Sequence, residues 1–174
     1  MDHNDHVNLL QSGIPGPGGI WGDFGSGAGA FTLALADLIG PGGVIYSIDK
    51  DRRALREQER QLRGRFPQVE IHLIPADFTR PVQLPQLDGL VASNSLHFQR
   101  DLEPVVRLLK SYLRPGGRMI VVEYNIESGN LAVPYPLPFS HWQDLARRAG
   151  FSKTRFLASR PSRFLREIYS AVSD

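Results

Sequence analysis

The chain has 174 residues, of which 41% are hydrophobic and 22% are charged, and its formal net charge is +2 at pH 7. This length suits one domain that buries roughly two thirds of the surface exposed by the unfolded chain. The sequence contains no cysteine, which excludes disulfide bonds, a thiolate nucleophile and thiolate metal ligands. No apolar run is long enough to span a bilayer, and residues 1–11 lack a signal-peptide pattern, so we expect a cytoplasmic protein with no membrane partner.

The first segment, residues 1–17, is polar at its start and is expected to form an N-terminal extension or a short helix. Residues 18–174 are expected to form the single folded domain. His3 and His6 are spaced loosely like metal ligands, but no later cluster of ligand residues accompanies them, so terminal or capping roles are favoured over a metal site.

The segment from Ile20 to Ala30 predicts a strand that runs into a glycine-rich turn and then a helix beginning near Ala28. Gly25, Gly27 and Gly29 leave no Cβ between the backbone and a ligand, and the helix N-terminus directs free N–H groups to the same place. The spacing also fits the dinucleotide fingerprint G-x-G-x-x-A. However, a carboxylate at Asp23 repels a pyrophosphate and favours an ammonium group instead.

An acidic residue followed by G-x-G-x-G resembles the first motif of the class I S-adenosylmethionine-dependent methyltransferases. The resemblance implies S-adenosyl-L-methionine as cofactor and transfer of a methyl group as the activity. It assigns cofactor binding in this motif to the following residues: Asp23, Gly25, Ser26, Gly27 and Gly29.

Two further acidic residues follow the next two predicted strands. The apolar strand 44–48 ends at Asp49, where a carboxylate can accept hydrogen bonds from both hydroxyls of a ribose. Either Asp49 or Asp51 could simply cap the next helix, and we assign the cap to Asp51. The third strand, 69–74, leads into Ala76, Asp77 and Phe78, which resemble the family's third motif. The resemblance implies that Asp77 accepts from the adenine amino group, that Phe78 packs beside the ring, and that Lys50 borders the cofactor.

Strands and helices continue to alternate in the second half of the chain, which predicts a parallel sheet covered on both faces. A fourth strand is expected over 88–93, followed by a helix capped by Asp101. A Pro-Gly-Gly turn at 115–117 is expected to lead into a fifth strand over 119–123.

The last third departs from this alternation. Residues 125–139 contain three prolines and predict a loop over the carboxyl edge of the sheet. Ser140 is expected to cap a helix that runs to Ala149, and the spans 151–157 and 164–169 predict a closing hairpin. The expected fold is therefore α/β: a Rossmann-like, doubly wound, seven-stranded sheet, mostly parallel with an antiparallel last strand.

Candidate catalytic residues lie after the fourth and fifth strands. Asn94 is expected to offer its backbone carbonyl to the methionine ammonium, and His97 is the candidate base or hydrogen-bond partner for the substrate. An equally supported alternative makes His97 a packing residue. Glu123 is a candidate to orient the acceptor or a water molecule, and Tyr135 is a candidate pocket wall. Because aspartates are missing from the ends of these strands, no metal is expected.

The methyl acceptor is expected to be a small molecule. Enzymes of the family that methylate nucleic-acid bases carry Asn or Asp followed by Pro-Pro-aromatic after the fourth strand, whereas this chain has Ser95, Leu96 and His97 after Asn94. One alternative is an RNA or protein substrate bound by the basic region 140–174; another is a cofactor-binding module without turnover. We expect a monomer or homodimer, with the pocket open or closed by the proline-rich loop or by a second subunit.

Overall fold

The computed structural model describes residues 1–62, 64–162, 165 and 167–174. Over these residues the chain forms one seven-stranded sheet with the order β3-β2-β1-β4-β5-β7-β6. The strands are β1 (Gly19–Phe24), β2 (Gly43–Asp49), β3 (Glu70–Pro75), β4 (Leu87–Ser93), β5 (Leu113–Tyr124), β6 (Thr154–Pro161) and β7 (Glu167–Ser173). The order reverses between β1 and β4, and ligands bind at such a switch point in doubly wound sheets.

Strand directions confirm the predicted fold class. Neighbours from β3 through β5 pair in parallel. The last strand, β7, is antiparallel to both of its neighbours. The α-helices that cover this sheet are α1 (His3–Leu10), α2 (Ala30–Ile39), α3 (Arg52–Leu62), α4 (Glu103–Ser111) and α5 (Phe139–Arg148).

The apolar core lies in two layers. One layer joins the sheet to α4 and α5 and includes Val106 and Trp142, which are fully buried. The other layer joins the sheet to α1 and α2 and includes Leu9 and Leu35. The helix α1 therefore packs on the domain through Leu9 and Leu10. A capping box formed by Asp2 and Asp5 begins this helix.

Two predicted helix caps are wrong, and one is confirmed. Asp51 accepts hydrogen bonds from the N–H groups of Arg53 and Ala54 at the start of α3, as expected. Asp101 does not cap α4, which follows Leu102 and carries Pro104 in its first turn, where a missing N–H costs nothing. Ser140 lies inside α5, because the extended Pro138 already precedes the first helical residue.

Two strand boundaries also differ from expectation. The predicted Pro-Gly-Gly turn lies within β5, where the pairing with β4 shifts register and Gly116 has a φ of +78°. The closing hairpin is present, but its strands lie further along the chain than predicted, and Pro161 ends β6. A proline is tolerated there because β6 is the edge strand and needs no further donor. Phe164, the predicted start of the last strand, lies outside the described residues.

Candidate cofactor and active site

A cavity of about 410 Å³ lies at the carboxyl ends of β1 to β4. Most of the residues expected to bind a cofactor line it: Gly25 and Gly27 after β1, Asp49 and Lys50 at β2, Asp77 and Phe78 after β3, and Asn94 after β4. Asp23, Ser26 and Gly29 do not line it. The parallel sheet thus brings four separate sequence segments to one place.

The glycine-rich turn depends on close contacts that only glycine permits. Gly25 has a φ of +78°, and a Cβ added to it would lie 2.4 Å from the Cβ of Ser95. Gly29 has a φ of +89°, and a Cβ there would lie 2.4 Å from Cγ of Gln58. The turn is therefore fixed between the segment after β4 on one side and α3 on the other.

Asp49 links the glycine-rich turn to the end of β2. The Gly27 N–H donates to Oδ2 of Asp49 at 2.7 Å, and the Asp51 N–H donates to Oδ1 at 2.7 Å. Each carboxylate oxygen can accept more than one hydrogen bond. Asp49 can therefore hold the turn and still accept from a ligand in the cavity.

Asp77 is held as a charged acceptor. Its Oδ1 accepts from the Thr79 hydroxyl at 2.7 Å and from the Thr79 N–H at 3.0 Å. These hydrogen bonds lower the pKa of Asp77 below its ordinary value. A carboxylate in this state accepts hydrogen bonds from a ligand amino group without first losing a proton.

Asp23 takes a different position from the one expected. It is 1% exposed, and its Oδ2 accepts from the Thr32 hydroxyl at 2.6 Å. Burial raises the pKa of Asp23 from 3.8 to about 7, the Thr32 hydrogen bond opposes this rise, and the Asp49 carboxylate adds to it. Asp23 does not line the cavity, and its Oδ1 is buried without a hydrogen-bond partner, so contact between Asp23 and a ligand ammonium stays a prediction.

The raised pKa of Asp23 predicts a pH-dependent stability. The folded chain holds the Asp23 proton more tightly than the unfolded chain does. The contribution of protonated Asp23 to the free energy of unfolding is therefore complete below about pH 4 and is lost as the pH rises through about 7. Asp23→Asn cannot titrate and keeps an oxygen for Thr32. We expect the stability of the wild type relative to Asp23→Asn to fall by about 1–3 kcal/mol between pH 5 and pH 7, measured by urea unfolding. A constant difference over this range would contradict the assignment.

Asn94 is strained and incompletely bonded. It has a φ of +51°, which is uncommon for residues other than glycine. Its Oδ1 is buried with no hydrogen-bond partner, as are Oγ of Ser93 and Oδ1 of Asp23. These atoms lie at the ends of neighbouring strands and call for hydrogen-bond donors.

The chemistry of the cavity fits an adenosyl amino acid better than a dinucleotide. Its charged side chains are two carboxylates, Asp49 and Asp77, and one ammonium, Lys50. Hydroxyl and amino groups are donors that satisfy the oxygens of Asp49 and Asp77. A pyrophosphate bound at the glycine-rich turn would bring only acceptors next to the end of β1, which carries Asp23.

His97 and Glu123 form a buried pair. Nδ1 of His97 lies 2.6 Å from Oε2 of Glu123, and the two side chains are 3% and 0% exposed. Oε1 of Glu123 accepts from the Leu96 N–H at 3.0 Å. Glu123 therefore has no surface for an acceptor or a water molecule, contrary to expectation, and can act only through His97. His97 itself lies behind Phe98 and does not line the cavity.

The proline-rich loop meets this region through Tyr135. Its N–H donates to the carbonyl of His97 at 3.0 Å, and its side chain is 42% exposed. Phe98, which lines the cavity, is 55% exposed. Two aromatic side chains thus stand at the surface around the segment that follows β4.

The hydrogen bonds of Ser26 and Gln58 were not predicted from the sequence. The Ser26 hydroxyl bonds to Ser47 and Gln58, away from the cavity. Gln58 was not singled out, although a signal was present: Leu55 and Gln58 are spaced three residues apart, as on one buried face of a polar helix.

No cluster of three or more His, Asp or Glu side chains able to hold a metal ion occurs among the described residues. None of the helices that these residues form has the length and apolar character of a membrane span.

Comparison with known proteins agrees with this geometry. A family model described as a methyltransferase domain matches residues 22–159. The probable cobalt-precorrin-6B C(15)-methyltransferase (decarboxylating) of Methanothermobacter thermautotrophicus is 29% identical over 66% of this chain and 57% of that protein. The demethylmenaquinone methyltransferase of Lactobacillus johnsonii is 28% identical over 58% of this chain and 42% of that protein. The alignments thus span about half the length of these relatives.

Solved structures show the same fold at low identity. A methyltransferase of Leishmania major, described as S-adenosylmethionine-dependent, superposes with a TM-score of 0.76 at 18% identity, covering 99% of this chain and 72% of that one. The family model spans both the glycine-rich turn and the segment after β4. The chain belongs to the class I S-adenosylmethionine-dependent methyltransferase family, whose cofactor is S-adenosyl-L-methionine.

Proposed function

We propose that this chain binds S-adenosylmethionine in the cavity and directs transfer of its methyl group to a nucleophilic atom of a small molecule. The observation that carries the proposal is the cavity itself. It combines the glycine-rich turn with Asp49, Asp77 and Asn94 at the switch point of the sheet. This set of acceptors matches the donors of an adenosyl amino acid.

The residues have separate roles in holding the cofactor. Asp49 accepts from the ribose hydroxyls, Asp77 accepts from the adenine amino group, and Phe78 packs beside the ring. The backbone carbonyl of Asn94 accepts from the ammonium. When bound, the cofactor supplies an electrophilic methyl group on a positively charged sulfur.

The acceptor side of the cavity favours an uncharged molecule with apolar surface. The cavity-lining residues after β4 are Asn94, Ser95, Phe98 and Gln99, and none is charged. Phe98 offers an exposed ring to such a molecule. Placing the acceptor in line with the methyl group can itself supply about 7–11 kcal/mol of the barrier reduction.

The basic region offers less support for an RNA or protein substrate. Arg148 bonds to Glu103 at 3.0 Å, Arg147 lies 3.7 Å from Asp144, and Arg160 lies 3.6 Å from Asp5. These guanidinium groups already have carboxylate partners, so the positive and negative charges on this surface offset one another. Arg163 and Arg166 lie outside the described residues.

His97 is proposed to act as the base when the acceptor carries a proton; because His97 packs against Phe98 and does not line the cavity, this role requires an acceptor that reaches past the Phe98 ring. Glu123 holds Nδ1, which leaves Nε2 as the nitrogen able to receive a proton. His97→Asn keeps a donor for Glu123 and removes the base. We expect kcat to fall by about 10²–10⁴-fold, while the affinity for S-adenosylhomocysteine stays within about twofold. Equal kcat values in the variant and the wild type would assign His97 to packing alone.

The activity is tested by transfer of a labelled methyl group from S-adenosylmethionine to a panel of acceptors. The relatives named above suggest a corrin precursor and a demethylated quinone, and a polyketide β-ketone is added because polyketide synthases also match this chain, at 26% identity in one case. Labelled product with any acceptor, lost in Asp49→Ala, supports the proposal. Cofactor binding without product across the panel, together with no effect of acceptors on binding, would favour a module without turnover.

A further inference from the structure

Gln58 has a buried side-chain amide on a helix that is mostly exposed to solvent. The helix α3 has two buried side chains among its described residues, Leu55 and Gln58, and Gln58 is 0% exposed. Glutamine is rarely fully buried unless its amide is hydrogen-bonded. The position of Gln58 therefore requires partners inside the fold.

Those partners form a closed ring of hydrogen bonds. Nε2 of Gln58 donates to the Ser47 hydroxyl at 2.9 Å, and the Ser47 hydroxyl donates to that of Ser26 at 2.7 Å. The Ser26 hydroxyl then donates to Oε1 of Gln58 at 3.3 Å. The Ser47 hydroxyl also lies 3.1 Å from Oε1 of Gln58, so the amide of Gln58 bonds to both serine hydroxyls, and its removal takes a partner from each.

The ring reaches the glycine-rich turn from the side opposite to the cavity. Ser26 belongs to the turn, and the side chain of Gln58 also fills the space against Gly29. The Gly27 N–H, between them, is held by Asp49. Gln58 thus fixes both ends of the segment whose middle is fixed by the carboxylate expected to bind the ribose.

We propose that Gln58 is a positioning residue for cofactor binding, which it supports by holding the turn at Ser26 and Gly29. This inference rests on the proposed function. Gln58 touches no ligand itself and acts through the turn. An apolar side chain of similar length would fill the same space but would leave the two serine hydroxyls without the amide.

Gln58→Met is the test variant because it conserves volume and removes the polar atoms. Leu55→Ala is the matched control, since Leu55 is the other buried residue of the same helix and lies beside Leu73 and Pro75 of β3. We expect Gln58→Met to raise the Kd for S-adenosylhomocysteine about tenfold, with kcat within about twofold of the wild type. Leu55→Ala lowers the stability but leaves this Kd within about twofold.

A second readout needs no ligand. Amide hydrogen exchange of Gly27 and Gly29 in the free protein is expected to be at least about tenfold faster in Gln58→Met than in the wild type. In Leu55→Ala, we expect these two amides to exchange no faster than the loss in free energy of unfolding accounts for. Ser47→Ala should produce the same acceleration, and the double variant should add little to it. Unchanged exchange at the turn would overturn the positioning role, whether or not the wild type binds the cofactor. If Gln58→Met exchanges faster at the turn but the wild-type protein binds no S-adenosylhomocysteine, Gln58 still holds the turn and the proposed function is refuted.

Discussion

Asp49→Ala is expected to weaken binding of S-adenosylhomocysteine by at least about 100-fold. Two hydrogen bonds from ribose hydroxyls to a carboxylate contribute about 1.5–3 kcal/mol each, and about 1.4 kcal/mol corresponds to a factor of ten. The variant also removes the acceptor of the Gly27 N–H, which donates a hydrogen bond to Asp49 at 2.7 Å in the wild type. Isothermal titration calorimetry measures the change.

Asp144→Ala is the control for this experiment. It removes the same charge from an exposed site, where Asp144 lies 3.7 Å from Arg147, and surface ion pairs contribute little to stability. We expect wild-type affinity in this control. A loss of less than about threefold in Asp49→Ala would show that the carboxylate does not contact the ligand.

Gly25→Ala is expected to destabilise the fold by about 2–5 kcal/mol. The added Cβ would meet Ser95 at 2.4 Å, and overpacking of this kind costs about 1–3 kcal/mol. The left-handed backbone adds about 1–2 kcal/mol for any residue with a Cβ. The free energy of unfolding in urea measures the loss.

Gly27→Ala separates the two contributions. Gly27 also has a positive φ, +55°, but a Cβ there meets no atom within 4 Å. It should therefore cost only the backbone contribution, about 1–2 kcal/mol. Equal losses in the two variants would show that the contact between Gly25 and Ser95 is not rigid.

Sequence patterns predicted the elements of this fold well because the patterns are local. Continuous apolar strands, the glycine-rich turn and the carboxylates after β2 and β3 are all readable from neighbouring residues. Since parallel strands end at one edge of a sheet, the sequence alone predicts that Asp49, Asp77 and Asn94 lie close together. The helix starts at Asp101 and Ser140 were wrong because nearby prolines, at 104 and 138, fixed the backbone first.

The residues that sequence reasoning misplaced or missed are those whose partners are distant in the chain. Glu123 is paired with His97, 26 residues away, and Gln58 bonds to Ser26, 32 residues away. Neither pairing has a local signature. Asp23 was predicted from its motif to face a ligand, but its direction depends on Thr32, whose hydroxyl binds it beneath the turn.

Calorimetric titration of the wild-type chain with S-adenosylhomocysteine and, separately, with NAD tests the central claim most directly. The acceptor-rich cavity predicts micromolar binding of S-adenosylhomocysteine and no binding of NAD, because the pyrophosphate of NAD would lie at the glycine-rich turn, next to the end of β1 that carries Asp23. Binding of NAD alone, or of neither ligand, would contradict the assignment of this cavity to S-adenosylmethionine.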